Sequence, residues 1–212
     1  GTIAERPMTI IAHNKGSDLT SDLDHRFGMV SPIGHRKILR AIRQAEKFDR
    51  PIITIIDTPG AYPSMAAELT GQASSISNLL AEFSVLSIPI ISIILSEGGS
   101  GGALALGITD VVMMMEHAYY SIISPEGYAS ILFRDETKAP QAASMMKITA
   151  SELVEMKVID RVINESSHHD IIHQIRSSII HELSSLDNLS KEQLLDRRYQ
   201  KFRMIASTSK QD

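Results

Sequence analysis

The sequence predicts an α/β protein built around a mostly parallel sheet. Two continuous aliphatic and β-branched runs, residues 52–57 and 90–95, each follow a proline and are typical of strands that are buried on both faces. Segments with apolar residues at helical spacing alternate with these runs along the chain. Strands that alternate with helices favour a parallel sheet with right-handed crossovers.

The first elements can be assigned in order. A short strand is expected over residues 8–12. A helix is expected to begin at Ser31-Pro32, because serine caps helices and proline suits the first helical position. The next helix is expected over residues 68–86. The later elements are expected to be a helix over 101–107, strands over 111–115 and 119–123, and helices over 125–133, 139–147 and 151–157.

From His168 onward the pattern indicates helices alone. Apolar residues recur at helical spacing from Ile171 to Leu183, residues 184–190 form a break, and a second helix covers residues 191–204. The sequence therefore predicts one domain followed by a helical extension that contacts a partner or another copy. The expected boundaries are 1–165 for the domain, 166–206 for the extension and 207–212 for a frayed tail.

The composition excludes several kinds of protein. The chain has no cysteine, which rules out disulfides, a thiol nucleophile and a cysteine-ligated zinc, and favours a cytoplasmic setting. The net charge of −4 argues against nucleic acid as a partner. The longest apolar runs, such as residues 88–95, are shorter than the roughly 20 residues that a membrane span needs.

A glycine-rich turn over residues 96–103 is the most informative stretch. Four glycines, Gly98, Gly99, Gly101 and Gly102, lie between a predicted buried strand and a predicted helix. The first N–H groups of a helix lack intrahelical partners and lie at the positive end of its dipole, so such a turn can stabilise an anion. A phosphate, an oxyanion and a ureido oxygen all remain possible. The alternative is a tight turn that serves packing alone.

The same turn also fits the nucleophile elbow of serine hydrolases, with Ser100 between Gly98 and Gly102. A serine nucleophile needs a histidine base within hydrogen-bond reach. Three downstream histidines are candidates, but none has a recognisable partner motif: His117, His168 and His169.

A second turn, Thr58-Pro59-Gly60-Ala61, follows the other buried run. Ligands of parallel α/β sheets gather beyond the carboxyl ends of the strands, so we expect both turns to line one cleft. Glu68 and Gln72 come one helical turn apart just after it, either at the site or on a solvated helix face.

Two further patterns have simpler interpretations. Ser124-Pro125-Glu126 is typical of a helix start with a carboxylate near the positive end of the dipole. Three histidines, His169, His173 and His181, share one helix face, but no carboxylate completes a metal-ligand set with them. We therefore expect no metal site in this chain.

Several motifs in register closely resemble the α subunits of bacterial acetyl-CoA carboxylase carboxyltransferases. The motifs are IIDTPGAYP, LSEGGSGGALALG and YYSIISPEGYASILF, with FGMVSPIGHRKILRAIRQAEKF upstream and LLDRRYQKFR downstream. The resemblance runs from about Gly1 to Arg203, and it implies that an N-terminal segment usual in the family is missing before Gly1. It also implies a crotonase-like fold of repeated ββα units.

The resemblance implies a function as well. The family transfers a carboxyl group from carboxybiotin, delivered on the biotin carboxyl carrier protein, to acetyl-CoA, which gives malonyl-CoA for fatty acid synthesis. The partner is a β subunit, expected in an α2β2 heterotetramer, which carries the zinc and most of the CoA site. By resemblance, the N–H groups of Gly101, Gly102 and Ala103 hold the biotin oxygen. The other residues expected to bind biotin or substrate are Gly98, Gly99, Ser100, Thr58, Pro59, Gly60, Ala61 and Glu68.

The sequence also departs from the family pattern. Residues 64–70 lack two glycines and a Glu-Arg pair that usually follow AYP, and Ile33 and His35 replace a more usual Glu and Tyr. Two alternatives therefore stand beside the carboxyltransferase. One is a stand-alone crotonase-fold acyl-CoA hydrolase or isomerase that uses Ser100 or Glu68. The other is a non-catalytic paralogue that only assembles with a partner.

Overall fold

The computed structural model describes residues 1–165 and 168–205, with His168 and His169 described by their backbone alone. The prediction of a frayed tail over residues 207–212 lies outside the described residues. The strands are β1 (Thr2–Ile3), β2 (Arg6–Pro7), β3 (Thr9–Ala12), β4 (Ile52–Thr58), β5 (Ile90–Gly99), β6 (Val111–Met115), β7 (Tyr119–Ser121) and β8 (Arg161–Ile163). The helices are α1 (Leu19–Asp24), α2 (Pro32–Lys47), α3 (Met65–Leu69), α4 (Gln72–Val85), α5 (Ser100–Leu104), α6 (Pro125–Phe133), α7 (Ala139–Met146), α8 (Ala150–Glu155), α9 (His168–Leu186) and α10 (Lys191–Met204), with short 3₁₀ turns at Arg26–Gly28 and Glu136–Lys138.

Six parallel strands form the main sheet, in the order β3-β4-β5-β6-β8, and β7 pairs with the far end of β5. The sheet is buried because its central strands are nearly all aliphatic; Ile52, Ile90 and Ile94 are fully buried. This confirms the α/β class with a mostly parallel sheet. It also brings the carboxyl ends of β3, β4 and β5 to one edge, which is where the sequence placed both turns.

Helix α2 begins where the sequence predicted. The Ser31 side chain accepts a hydrogen bond from the N–H of Gly34, and Pro32 takes the first helical position. The same device begins α6, where Ser124 accepts from the N–H of Gly127 at 3.1 Å. The interpretation of Ser124-Pro125 as a helix start is therefore confirmed.

The predicted helix over residues 68–86 is wrong as a single element. It is two helices, α3 and α4, separated at Thr70 and Gly71. Gly71 has φ +90°, a left-handed conformation that breaks the helical path and that a glycine adopts without a Cβ penalty. The break lets Gln72 turn inward, where its side-chain amide donates to the carbonyl of Val30 at 3.0 Å.

The glycine turn is also shorter than predicted. Strand β5 continues through Glu97 to Gly99 instead of ending at residue 95, because Gly98 pairs with Thr58 of β4 and with Tyr120 of β7. The helix that follows covers only Ser100–Leu104, not residues 101–107. The glycines therefore lie partly in the sheet.

Smaller differences concern the ends of elements. Strand β7 ends at Ser121 and not at residue 123, and α9 continues to Leu186 across part of the predicted break. Four short elements were not predicted from the sequence: β1, β2, α1 and β8. These elements are two to six residues long, so they carry too little periodicity to be recognised from one sequence.

Helices α9 and α10 pack on the same hydrophobic core as the sheet, through Ile179, Leu183 and Leu194. Arg198 of α10 is fully buried and forms a bidentate ion pair with Asp110. The boundary between a domain over 1–165 and an extension over 166–206 stays a prediction. No described helix combines the length and the apolar character that a membrane span requires.

Candidate functional site

The two turns predicted to share a cleft do meet, backbone against backbone. A Cβ placed on Gly99 would lie 1.9 Å from the carbonyl oxygen of Pro59, and one on Gly102 would lie 2.3 Å from the carbonyl group of Gly60. Glycine is therefore required at both positions by packing. Packing therefore explains why Gly99 and Gly102 are glycines. This explanation is compatible with the interpretation of the turn as an anion-binding site.

The Thr58 side chain fixes the shape of the first turn. Its hydroxyl donates to the carbonyl of Gly60 at 3.1 Å and accepts from the N–H of Gly60 at 3.3 Å. Thr58 is fully buried, so this closed loop of hydrogen bonds holds the turn rigid under the glycines of β5. The N–H of Gly60 is thereby partly occupied within the turn.

The start of helix α5 provides the free backbone N–H donors of the glycine-rich turn. In a helix that begins at Ser100, the N–H groups without an intrahelical acceptor are those of Ser100, Gly101 and Gly102. The N–H of Ala103 lies one position further, where the carbonyl of Gly99 can accept it. Gly101 is the most accessible of the four glycines in this turn, and a Cβ there would meet only the Ile76 side chain, at 3.9 Å.

Ser100 has the backbone of a nucleophile elbow. Its φ is +49°, its side chain is exposed, and it joins a strand directly to a helix. Ser100 lacks the histidine base that a serine nucleophile needs. Among the described side chains, no histidine forms a hydrogen bond with Ser100. His117 lies beside Glu165, whose carboxylate accepts the His117 backbone N–H, and the side chains of His168 and His169 lie outside the description.

A cavity of about 530 Å³ opens beside Ser100 and Gly101. Tyr120 and Ser121 of β7 line it, together with residues 122–123 and residues of α6, α7 and α8. The wall residues are mainly apolar and include Ile123, Tyr128, Met145, Met146, Leu153 and Met156. An apolar cavity with a few convergent polar groups at one end is the usual form of a small-molecule site.

Not all predicted residues reach this place. Glu68 is exposed on the short helix α3, as the solvated-face interpretation expected, and its role in binding stays a prediction. Gln72 is buried against Val30 and holds α4 in place. The other predicted residues belong to the two turns in contact: Thr58, Pro59, Gly60, Ala61, Gly98, Gly99, Ser100, Gly101, Gly102 and Ala103.

The structure also brings together polar residues that the sequence analysis did not select. Lys15 forms ion pairs with Asp57, at 3.3 Å, and with Glu97. The Tyr119 hydroxyl donates to Glu97 at 2.6 Å. Burial, reinforced by the bond to Glu97, raises the pKa of Tyr119, so its proton stays in place as a donor. The available signal was positional, since Lys15, Asp57 and Glu97 all lie at or just beyond strand ends.

Two histidines lie beneath the same edge of the sheet. His13 accepts the N–H of Asp57 at 3.2 Å, and His35 bonds the Ser75 hydroxyl at 2.8 Å. Burial, and next the charge of His35, lowers the pKa of His13 to about 4, and burial lowers the pKa of His35 to about 4. Both are therefore neutral at neutral pH. Within residues 1–165 and 168–205, no group of three or more His, Asp or Glu residues could hold a metal ion.

Comparison with known sequences identifies close relatives. A profile of the family described as acetyl co-enzyme A carboxylase carboxyltransferase-like matches residues 1–206. The acetyl-coenzyme A carboxylase carboxyl transferase subunit alpha of Streptococcus equi subsp. zooepidemicus is 51% identical over 203 residues, which cover 95% of this chain and 79% of the relative. The subunit of that name from Streptococcus gordonii is 49% identical, over 96% of this chain and 80% of its own length.

Solved structures share the fold at much lower identity. A Pseudomonas malonate decarboxylase hetero-tetramer in complex with coenzyme A matches with TM-score 0.79 and 15% identity, over 98% of this chain and 85% of that one. The transcarboxylase 12S structure matches with TM-score 0.72 and 22% identity, over 86% of this chain and 35% of that one. These similarities confirm the predicted crotonase-like fold.

Proposed function

Because the chain belongs to the acetyl-CoA carboxylase carboxyltransferase-like family, its activity is carboxyl transfer, and we propose that it is the α subunit of such an enzyme. The proposed reaction takes the carboxyl group from carboxybiotin, held on the biotin carboxyl carrier protein, and gives it to acetyl-CoA. The product is malonyl-CoA for fatty acid synthesis. A β subunit, which carries a zinc ion, completes the site in an α2β2 assembly in the cytoplasm.

The observation that carries the proposal is that Ser100 and Gly101, the first residues of α5, line an apolar cavity. The cavity fits carboxybiotin, because its apolar walls suit a fused ring and the free N–H groups suit a ureido oxygen. When bound, carboxybiotin supplies the carboxyl group for transfer. The resemblance implies three donors for the charge that develops on the oxygen. Those of Gly101 and Gly102 are free at the start of α5, whereas the N–H of Ala103 can bond the carbonyl of Gly99.

The rest of the turn region positions these donors. Thr58 closes its turn on itself, and the Pro59 and Gly60 carbonyls lie against Gly99 and Gly102, so the donors are fixed before substrate arrives. Preorganised donors of this kind are worth about 10²–10³ in rate each. No side-chain acid or base is required of this chain, which agrees with the lack of a histidine partner for Ser100 among the described side chains.

Two further parts of the proposal concern contacts outside the cavity. Glu68 and the Ala61 turn are proposed to border the bound substrate, and the helical extension over residues 166–206 is proposed to contact the partner or a second copy. The exposed Ile172 on α9 supports that second assignment, since its side chain is 73% exposed.

The test is product identification in the assembled enzyme. The chain would be combined with a carboxyltransferase β subunit and carboxylated carrier protein, and acetyl-CoA would be added. The expected product is malonyl-CoA, measured by mass spectrometry. Release of free coenzyme A without malonyl-CoA would instead identify a thioester hydrolase.

A further inference from the structure

A network of four side chains joins the strands that lead into the two turns. Lys15 follows β3, Asp57 lies in β4, Glu97 in β5 and Tyr119 in β7. The Lys15 ammonium group contacts both carboxylates, and the Tyr119 hydroxyl donates to Glu97. The network lies on the other side of the strands from the cavity, because neighbouring strand residues point to opposite faces and Tyr120, not Tyr119, lines the cavity.

The backbone pairing between β4 and β5 is interrupted at this point. Ile56 pairs with Ile94, but the next pair is Thr58 with Gly98, so β5 has two more residues than β4 over the same interval. The ladder of backbone hydrogen bonds is therefore interrupted at Asp57 and at residues 95–97, just before it resumes at Thr58 and Gly98. Both turns begin within three residues of this irregularity.

Side chains replace the missing ladder bonds. The Asp57 carboxylate accepts the backbone N–H of Glu97 at 3.4 Å, which ties β5 to β4 at the irregular position. The Asp57 backbone N–H in turn donates to His13, which ties β4 to the end of β3. Asp57 precedes the Thr58 turn directly, and Glu97 stands three positions before Ser100.

The arrangement depends on the charge of Lys15. The side chains of Asp57 and Glu97 are each only 16% exposed, and two carboxylates so close repel each other unless a cation separates them. Burial favours a lower pKa for the Lys15 ammonium, yet the bond to Glu97 and the charges of Asp57 and Glu97 outweigh burial and raise that pKa. Lys15 therefore keeps its proton throughout the neutral range.

We propose that Lys15 is a positioning residue for carboxyl transfer. By holding Asp57 and Glu97 together, it fixes the distance between the Thr58–Ala61 turn and the N–H donors at Ser100 and Gly101. Lys15 does not line the cavity, so it acts on the donors through the strands and not by contact with carboxybiotin. This inference rests on the proposed function.

The test is steady-state kinetics of Lys15→Met in the complex with the β subunit, using malonyl-CoA and free biotin as substrates. Misplacement of a catalytic group by about 1 Å can cost about 10²-fold in rate, so we expect kcat to fall by at least about tenfold. The KM for malonyl-CoA should stay within about twofold, because ground-state binding contacts are untouched. Lys15→Arg, which keeps the cation, should recover most of the loss.

The matched control is Arg43→Met. Arg43 also forms an ion pair, with Glu82 at 2.5 Å, but its side chain is 61% exposed and the pair joins α2 to α4, outside both turns and the helical extension. This variant should keep the wild-type kcat. A Lys15→Met complex with a wild-type kcat would overturn the proposal. So would a variant with a lowered melting temperature that regains full kcat when assayed well below it, because the role would then be structural only.

If Lys15→Met does not fold, a second variant tests whether the network positions the donors. Tyr119→Phe removes one hydrogen bond to Glu97 and leaves every charge in place, so we expect kcat to fall severalfold with the melting temperature unchanged. An unchanged kcat in folded Tyr119→Phe would then overturn the proposal. Absence of carboxyl transfer in the wild-type complex would count against the proposed function and not against the role of Lys15.

Discussion

The α-carbon of Gly102 lies so close to Gly60 that a side chain cannot fit between them. A Cβ on Gly102 would stand 2.3 Å from both the carbonyl carbon and the carbonyl oxygen of Gly60. This contact joins the start of α5 to the turn that ends β4. The ends of β4 and β5 therefore form one rigid unit, which fixes the position of the N–H donors of α5.

Gly102→Ala should disrupt that unit. The added methyl group forces the two backbones apart, and overpacking of this kind costs about 1–3 kcal/mol of stability. We expect a lower melting temperature and loss of most carboxyl transfer in the assembled enzyme. Gly101→Ala is the matched control, since its Cβ has room beside Ile76, and it should fold with wild-type stability or slightly better. Equal melting temperatures for the two variants would contradict the packing account.

Ser100→Ala should retain carboxyl transfer within a fewfold of the wild type. The backbone N–H groups do the proposed work, and alanine leaves them in place. The measurement is kcat in the assembled complex, with folding checked by circular dichroism. A folded but inactive Ser100→Ala would identify the hydroxyl as a nucleophile and favour the hydrolase alternative.

The positions of the turns illustrate how much a single sequence can predict. The runs that became β4 and β5, and the Ser31-Pro32 helix start, were assigned correctly because each carries its own local signal. The contact between the two turns was also predicted correctly, because the carboxyl ends of parallel strands lie at the same edge of the sheet. The end of β5 was misplaced, because the glycines there are held by pairing with β7, which lies 20 residues further along the chain.

Position alone places Lys15, Asp57 and Glu97 near strand ends, but their pairing could not have been predicted, for a related reason. The members of the network come from four strand ends, and Lys15 lies 82 positions from Glu97. Nothing local marks Lys15 as the partner of both carboxylates. Similarly, Gly71 carries no signal that distinguishes a helix break from a tolerated glycine until its φ of +90° is seen.

The half-buried His13 and the buried His35 predict how stability depends on pH. Their pKa values of about 4 in the fold lie below the value of about 6.5 expected for unfolded histidine. Between these limits the unfolded chain binds protons that the folded chain excludes, so the free energy of unfolding falls as the pH falls from about 6.5 to about 4. The slope is about 1.4 kcal/mol per pH unit for each histidine.

Urea unfolding at several pH values from 7 to 4.5 would measure that slope. His35→Gln can still bond the Ser75 hydroxyl but does not titrate, so it should remove about half of the histidine contribution. His173→Gln replaces an exposed histidine and should keep the wild-type slope. A His35→Gln slope equal to that of the wild type would show that His35 does not couple protonation to folding.

Arg198 anchors α10 by bonds to one carboxylate and three carbonyls. It pairs with Asp110 through two hydrogen bonds, at 2.8 and 2.9 Å, and donates to the carbonyls of Phe83, Leu86 and Ile88. Arg198→Met leaves a buried carboxylate without its cation, which typically costs about 3–5 kcal/mol. The free energy of unfolding from urea titration should fall by about that amount.

Lys191→Met provides the comparison on the same helix. Its ion pair with Asp49 is exposed, and exposed pairs contribute about 0–1 kcal/mol. Loss of less than about 1 kcal/mol in Arg198→Met as well would mean that α10 is not held by its buried arginine.

The most direct test of the central claim is malonyl-CoA-dependent carboxylation of free biotin, with and without the β subunit. The claim is that this chain holds one half of a carboxyltransferase site, built on the backbone N–H donors at the start of α5, around Gly101 and Gly102. It predicts no measurable transfer by the purified chain alone and clear turnover once the β subunit is added. Robust turnover by the single chain would contradict the half-site account.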